Sequence, residues 1–387
     1  MARTQEVVVM DIGSSKIRIL AVEKPNNGIF SVKQIIQQPH DGYYNGEWVD
    51  GDNTADALVQ AVGRMRDAGV KFKRLYVSVP SEFCTVKTAR TQTSFAKRRK
   101  VERSDMLMLY KKGNPFENDM TKTVINYSSV YFTVDGNKKV VDPEGIYTEE
   151  LQGYLSYVAC QRRLIEFLDK VFQRASVAEV EYTCGMYAEM MCVFDPNVRD
   201  GGVVLAIDAG YLSSTVAMMR GDGIMQMRSF PCGKGVFAMW LAEGFEIPFA
   251  SAETLYDKTD LSYEAREGDA FTVDVVNPNG DHEEMSFPIA KVQAYITECI
   301  AAFAENVQCI LQGFDETLSI TAGMFLLGGG LGIRGADECL SKKLNRKVRW
   351  AAPTMCPEYK KPMHAGLMGI AHYAFAQEEK KHNRFWK

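Results

Sequence analysis

Two stretches of this chain, about 197 positions apart, end in the same way: three apolar residues that read as a buried strand, followed by Asp-x-Gly. The first is Val8-Val9-Met10-Asp11-Ile12-Gly13-Ser14-Ser15; the second is Leu205-Ala206-Ile207-Asp208-Ala209-Gly210-Tyr211-Leu212. One such turn carries little information, because turns everywhere use these residues. Two of them, each opening a similar passage, point to an internal duplication and so to a chain of two related halves.

The flanking patterns agree with that reading. Residues 7–10, 17–22 and 28–36 read as three consecutive strands, 54–68 carries Ala57, Leu58, Ala61, Val62 and Met65 at helical spacing, and 75–79 reads as a buried strand. In the second passage, 203–207, 214–219 and 224–230 repeat the three strands, with a hairpin turn at Gly221-Asp222-Gly223. Residues 82–160 break the alternation. Segments 123–134 and 139–141 look like a hairpin closed by Asp135-Gly136-Asn137, so this part reads as an inserted subdomain. Further on, Ala290, Val292, Ile296, Ile300, Phe303, Val307 and Ile310 form one helical stripe, and 324–327 is a strand running into Gly328-Gly329-Gly330.

At 387 residues the chain is long enough for two sizeable cores. With 46% apolar and 24% charged residues it matches an ordinary globular protein, and no stretch approaches the roughly 18 uninterrupted apolar residues of a membrane-spanning helix. A balance of 45 Lys+Arg against 49 Asp+Glu leaves no global basic surface for nucleic acid, and Lys97-Arg98-Arg99-Lys100 is expected as a solvated loop. The nine cysteines contain no C-x-x-C pair and the five histidines no ligand spacing, which argues against zinc ribbons and other metal clusters. With no signal-peptide pattern at the start, the cysteines read as buried small hydrophobes in a reducing cytosol.

The Asp-x-Gly turns suit one kind of chemistry. Such a turn brings backbone N–H groups close to phosphate oxygens, while the carboxylate holds a hydrated magnesium ion. Ser14, Ser15 and Lys16 add two hydroxyls and a cation to the first turn. Two facing turns could grip one triphosphate from both sides, and Gly328-Gly329-Gly330 could let backbone approach a flat ligand such as adenine, or could be a plain strand-to-helix turn. No G-x-x-x-x-G-K-[ST] occurs, so a Walker-type ATPase is not supported.

In this order, Asp-x-Gly, insert, Asp-x-Gly and Gly-Gly-Gly, the chain resembles the actin-like ATPase superfamily, and within it the FtsA family of bacterial cell-division proteins. Asp11-Ile12-Gly13-Ser14-Ser15-Lys16 looks like the first phosphate motif, Ile207-Asp208-Ala209-Gly210-Tyr211 the second, and Leu327-Gly328-Gly329-Gly330 the adenosine motif. The insert segments Val124-Ile125-Asn126, Tyr131-Phe132-Thr133-Val134-Asp135-Gly136 and Asp142-Pro143-Glu144-Gly145 are similar to the FtsA subdomain. So are Pro231-Cys232-Gly233, Ser251-Ala252-Glu253 through Lys258, and Pro357-Glu358-Tyr359 ahead of Ala365-Gly366-Leu367.

The resemblance implies an α/β, duplicated actin-like fold with ribonuclease-H-like halves and an inserted FtsA-type α+β subdomain. Its parts would be a first domain over 1–81 and 161–200, the insert over 82–160, a second domain over 201–377 and a short polar tail over 378–387. It implies ATP with magnesium: Asp11 and Asp208 holding the ion through water; Gly13, Ser14, Ser15, Lys16, Gly210 and Tyr211 on the phosphates; Gly328, Gly329, Gly330, Glu253 and Lys258 on the adenosine. It further implies a cytoplasmic, self-associating scaffold that links the FtsZ polymer to the inner face of the membrane at the division site.

Two departures leave alternatives open. The family ends in an amphipathic membrane helix, whereas here only Phe385 and Trp386 are apolar in the tail, beside Lys380, Lys381, Arg384 and Lys387. Burying two aromatics partly in a lipid interface gives roughly 2–4 kcal/mol, so the tail is either a frayed terminus or an anchor useful only in a polymer. Within Glu181-Tyr182-Thr183-Cys184-Gly185-Met186 only Glu181 could position an attacking water, and it could equally be the favoured carboxylate at a helix start. Nucleotide binding therefore follows more directly than hydrolysis, and weak ATPase activity stays open. A PilM-like pilus-assembly scaffold and a small-molecule kinase of the same superfamily are the competing functions.

Overall fold

The computed structural model of the chain describes residues 5–26, 28–276, 282–315 and 322–385. The chain opens with an antiparallel meander of β1 (Gln5–Ile12), β2 (Lys16–Lys24) and β3 (Ser31–Pro39), then a small hairpin of β4 (Tyr43–Tyr44) and β5 (Glu47–Trp48). Helix α1 (Gly51–Asp67) follows because Asp50 accepts the Asn53 N–H at 3.0 Å as its N-cap, and Leu58, Ala61, Val62 and Met65 form a buried stripe. It leads into β6 (Arg74–Val79), parallel to β1.

The insert then leaves the sheet through β7 (Cys84–Lys100), α2 (Arg103–Lys112), β8 (Lys122–Val134), β9 (Lys138–Val140) and β10 (Tyr147–Gln161). These strands make a separate sheet in the order β7-β10-β8-β9. Leu109 of α2 packs with Phe132, Leu151 and Leu155 on one face as a small core of its own. The chain returns through α3 (Arg162–Arg174), β11 (Glu179–Cys184), α4 (Gly185–Val193) and α5 (Pro196–Gly201), completing a first sheet of order β11-β6-β1-β2-β3.

The second half repeats this plan. It contains β12 (Val204–Ala209), β13 (Ser214–Arg220), β14 (Gly223–Phe230), α6 (Lys234–Phe245), α7 (Phe249–Lys258), the hairpin β15 (Ala270–Val276) and β16 (His282–Pro288), and α8 (Ile289–Gln312). It closes with β17 (Gly323–Gly328), α9 (Ala336–Leu344), β18 (Val348–Trp350) and α10 (Ala365–Phe385). Its sheet order, β14-β13-β12-β17-β18, mirrors the first sheet strand for strand, with the Asp-bearing strand central in each. The duplication extends to the turns: the Gly13 N–H donates to the Lys16 carbonyl and the Gly210 N–H to the Ser213 carbonyl, each at 3.1 Å.

Three expectations change. Lys97-Arg98-Arg99-Lys100 is the end of strand β7 rather than a loop: Arg99 and Lys100 pair with Thr148 and Tyr147, and Arg99 grips both oxygens of Asp105. The last helix does not stay with the second half, because Leu367, Met368, Ala371 and Phe375 pack against Val7, Val9, Leu20 and Phe30 of the first. Nor do residues 378–385 form a free tail. The helix continues through them, Glu378 accepts from Arg74 and from the Tyr76 hydroxyl, and Lys24 bonds Glu379 at 2.7 Å. Trp386 and the Phe385 side chain lie outside the described residues, and among those described no helix is long and apolar enough to cross a membrane.

Candidate functional site

The two Asp-x-Gly turns face one another. The Leu212 N–H of the second donates to the Ser14 hydroxyl of the first at 3.1 Å. Beside this bond, Glu82 bridges the halves, accepting from the Ser213 hydroxyl at 2.9 Å and from the Gly46 N–H at 2.6 Å. Between the turns opens a cleft of about 860 Å³, within the range of small-molecule sites. Asp11, Gly13, Ser14, Ser15 and Lys16 line it from one side, Asp208, Gly210 and Tyr211 from the other.

Behind the first turn stands His40. Its Nε2–H donates to the Gly13 carbonyl at 2.7 Å while Nδ1 accepts the Gly42 N–H at 3.1 Å, which fixes a neutral tautomer. Burial lowers the His40 pKa, in keeping with that neutral ring. Gly42 sits at φ +82°, and a Cβ there would lie 1.9 Å from the Ser14 carbonyl oxygen, so the turn is braced by a contact only glycine permits.

Three carboxylates converge at the base of the cleft. Asp11 accepts from Arg18 Nη2 at 2.6 Å, a cross-strand pair set by the β1–β2 register. Asp208 has no ion pair among the described residues; burial, reinforced by the Asp11 charge, pushes its carboxyl up to about 6. Glu189, from α4, is only 7% exposed and lines the same cleft. Its Oε2 is buried without a hydrogen-bond partner, and burial, then Asp208 and Asp11, hold its carboxyl well above the usual range. Gly366, on the first turn of α10, lies between: a Cβ there would be 3.3 Å from Glu189 Oε1 and 3.5 Å from both Asp11 oxygens.

The glycine-rich end of β17 forms the other wall. Gly328 has φ +81°, and Gly330 donates its N–H to the Ala209 carbonyl at 2.7 Å, so close that a Cβ on Gly330 would lie 2.2 Å from the Gly210 oxygen. The Tyr256 hydroxyl of α7 donates to the Gly330 carbonyl at 2.7 Å and holds this turn in place. Glu253 of the same helix lines the cleft and faces Tyr211, whose phenol is raised by burial and by that carboxylate.

Thus the structure brings together every expected phosphate and glycine residue. It does not bring in two others. Lys258 is turned away, its Nζ donating to the Thr272 carbonyl at 2.7 Å, and Lys234 at the start of α6 lines the cleft instead, bonded to Asp257 at 2.8 Å. Glu181 is not a cleft residue either. It sits mid-strand on β11, the edge of the first sheet, where Arg74 and Lys381 hold its carboxylate. The acid that reaches the cleft from this region is Glu189, eight positions later. Arg18, Glu189 and Lys234 are not marked out by the sequence, and His40 reads there only as a surface or core histidine without ligand spacing. Arg18 alone had a signal there, since pairing strands across a tight Gly13 turn sets it opposite Asp11.

No protein-family model matches the chain. It is 23% identical over 380 residues to the cell division protein FtsA of Streptococcus pneumoniae, covering 97% of this chain and 81% of that protein. With FtsA of Enterococcus hirae it shares 21% over 382 residues, covering 97% and 84%. Among solved structures it superposes on the PilM–PilN type IV pilus biogenesis complex with a TM-score of 0.62 at 15% identity, covering 95% of this chain and 98% of that one. MreB5 of Spiroplasma citri bound to AMPPNP gives 0.60 at 11% identity, covering 98% and 99%. The chain has the actin-like ATPase fold, and along nearly its whole length its sequence is similar to FtsA proteins.

Proposed function

We propose that this chain is an ATP-binding, actin-like scaffold of bacterial cell division, which polymerises and links an FtsZ polymer to the inner face of the cytoplasmic membrane. The observation that carries the nucleotide part is the cleft itself, where two duplicated turns meet at the Ser14–Leu212 bond. The residues present fit the group: the Gly328–Gly330 cradle is one that a Cβ would fill, and Glu189 Oε2 is an orphaned acceptor. Magnesium would neutralise the triphosphate, its water shell held by Asp11 and Asp208. Backbone N–H groups of the two turns, with Ser14, Ser15 and Lys16, would bind phosphate oxygens, and Gly328, Gly329, Gly330 and Glu253 would take the adenosine.

The division role rests on the similarity to FtsA proteins, and self-association gains support from the shared fold with the MamK double helical filament at a TM-score of 0.52. The insert, with its own core and sheet, is the part we assign to protomer contacts. Membrane attachment through Phe385 and Trp386, at the far end of the last helix, would require many copies on one polymer. Co-sedimentation with FtsZ, with and without ATP, tests the reading: joint pelleting that needs ATP supports it, and no association under either condition contradicts it. A PilM-like pilus scaffold is the second reading, favoured by the superposition on the PilM–PilN complex. Binding to a PilN-type peptide and not to FtsZ would establish it.

A further inference from the structure

The base of the cleft holds more carboxyl groups than its cations can pair. Five carboxylates line it against three cations. Lys234 is engaged by Asp257, with Glu253 at 4.0 Å, and Arg18 by Asp11. Asp208 and Glu189 are left without an ion pair among the described residues. Glu189 is the more telling of the two: it lies in the middle of a nine-residue helix, 7% exposed, with Oε2 lacking any hydrogen-bond partner. A buried carboxyl oxygen without a donor loses the hydrogen bonds that water would give it and is costly to keep. Such an acceptor beside a cleft marks the place of a donor that arrives with a ligand.

Among the described residues no three acidic, histidine or cysteine groups converge closely enough to ligate one ion directly. Yet Glu189 Oε1 and both Asp11 oxygens lie within 3.5 Å of the point where a Cβ on Gly366 would stand, and Gly366 itself lines the cleft. Carboxylates spaced too widely for direct coordination, on the wall of one cleft, suit a cation that keeps its waters, as magnesium does. We propose that Glu189 is a third acidic anchor of the hydrated divalent ion, accepting from a metal-bound water on the side where Gly366 leaves room. The proposal rests on the nucleotide reading above and adds a positioning residue to it. Its consequence is that the gain in nucleotide affinity on adding magnesium depends on Glu189 and on the absence of a side chain at Gly366.

The test is a titration of ATP into the full chain by calorimetry, once with EDTA and once across a magnesium series. Glu189→Gln keeps the shape and removes the charge, and Gly366→Ala keeps the charge and fills the space. For each variant, affinity without metal should stay within about twofold of the parent, while the gain from magnesium should fall about tenfold. A manganese titration read by electron paramagnetic resonance should show the same loss of ion affinity in the nucleotide complex. If both variants retain the full magnesium gain, or if affinity falls equally with and without metal, Glu189 is a structural acid and the proposal is wrong. If the parent chain binds no ATP under any condition, the nucleotide reading fails first, and this inference with it.

Discussion

At the first turn the residue opposite Asp11 across the hairpin is Arg18; at the second the residue opposite Asp208 is Thr215, whose hydroxyl is 2.8 Å from that of Ser229. The backbones match to the hydrogen bond, so the duplicated halves differ here chiefly in charge. Asp11 is paired with Arg18 before any ligand arrives, whereas Asp208 is half-buried, without an ion pair among the described residues and raised to about 6. The surroundings differ as well. The first turn is braced from its own half by His40 and Gly42, while the second is packed against Gly328 and Gly330 at distances that admit no side chain. One half offers a braced turn whose carboxylate is already paired, and the other a carboxylate left without an ion pair among the described residues.

The packing side of this contrast should give the largest effects. A Cβ on Gly210 would lie 2.4 Å from the Ser213 oxygen, against 3.1 Å for Gly13 and the Lys16 oxygen. Gly210→Ala is therefore expected to cost about 2–4 kcal/mol in denaturant titrations and Gly13→Ala about 1 kcal/mol or less, and equal losses would break the comparison. The charges give the next effect, with opposite signs. Asp11→Asn leaves Arg18 unpartnered and should destabilise the ligand-free chain at pH 7 by about 1–2 kcal/mol. Asp208→Asn removes an unfavourable, half-buried and unpaired charge and should stabilise it.

The pH dependence sharpens this second point. A carboxyl raised from 3.8 to about 6 binds its proton more tightly folded than unfolded, so its ionisation costs stability as pH rises from about 4 to about 6. With EDTA present, the advantage of Asp208→Asn over the parent should be near zero at pH 4 and grow to at most about 3 kcal/mol by pH 7. An advantage independent of pH would mean that Asp208 is not the group titrating. The smallest effect belongs to the surface. The exposed Lys24–Glu379 pair, which helps hold the last helix to the first half, should be worth no more than about 0.5 kcal/mol, measured as the loss in Lys24→Ala.

What could be read from the sequence was whatever local pattern dictates. The strands before Asp11 and Asp208, the helix carrying Leu58 and Met65, and the insert hairpin at Asp135-Gly136-Asn137 rest on periodicity and turn chemistry, and all stand in the structure. Glu189 was hidden because it sits among Met186, Met190 and Met191 in a helix that reads as packing, and only tertiary structure aims its carboxyl at the cleft. Glu181 misled for the same reason reversed: a carboxylate near the strand end looked well placed, but long-range partners, Arg74 and Lys381, hold it elsewhere. The return of α10 to the first half was equally out of reach, since its stripe of Leu367, Met368 and Phe375 would suit either core.

The central claim is that both halves grip a single triphosphate. Calorimetric titration of ATP with magnesium into the parent chain and into Asp208→Ala tests it most directly, because Asp208 is the cleft carboxylate of the second half that has no ion pair among the described residues. One nucleotide should bind per chain, with affinity at least tenfold weaker in the variant, about 1.4 kcal/mol, and the variant still folded and melting cooperatively. Unchanged affinity in Asp208→Ala, or binding at two independent sites, would contradict a shared cleft between the duplicated turns.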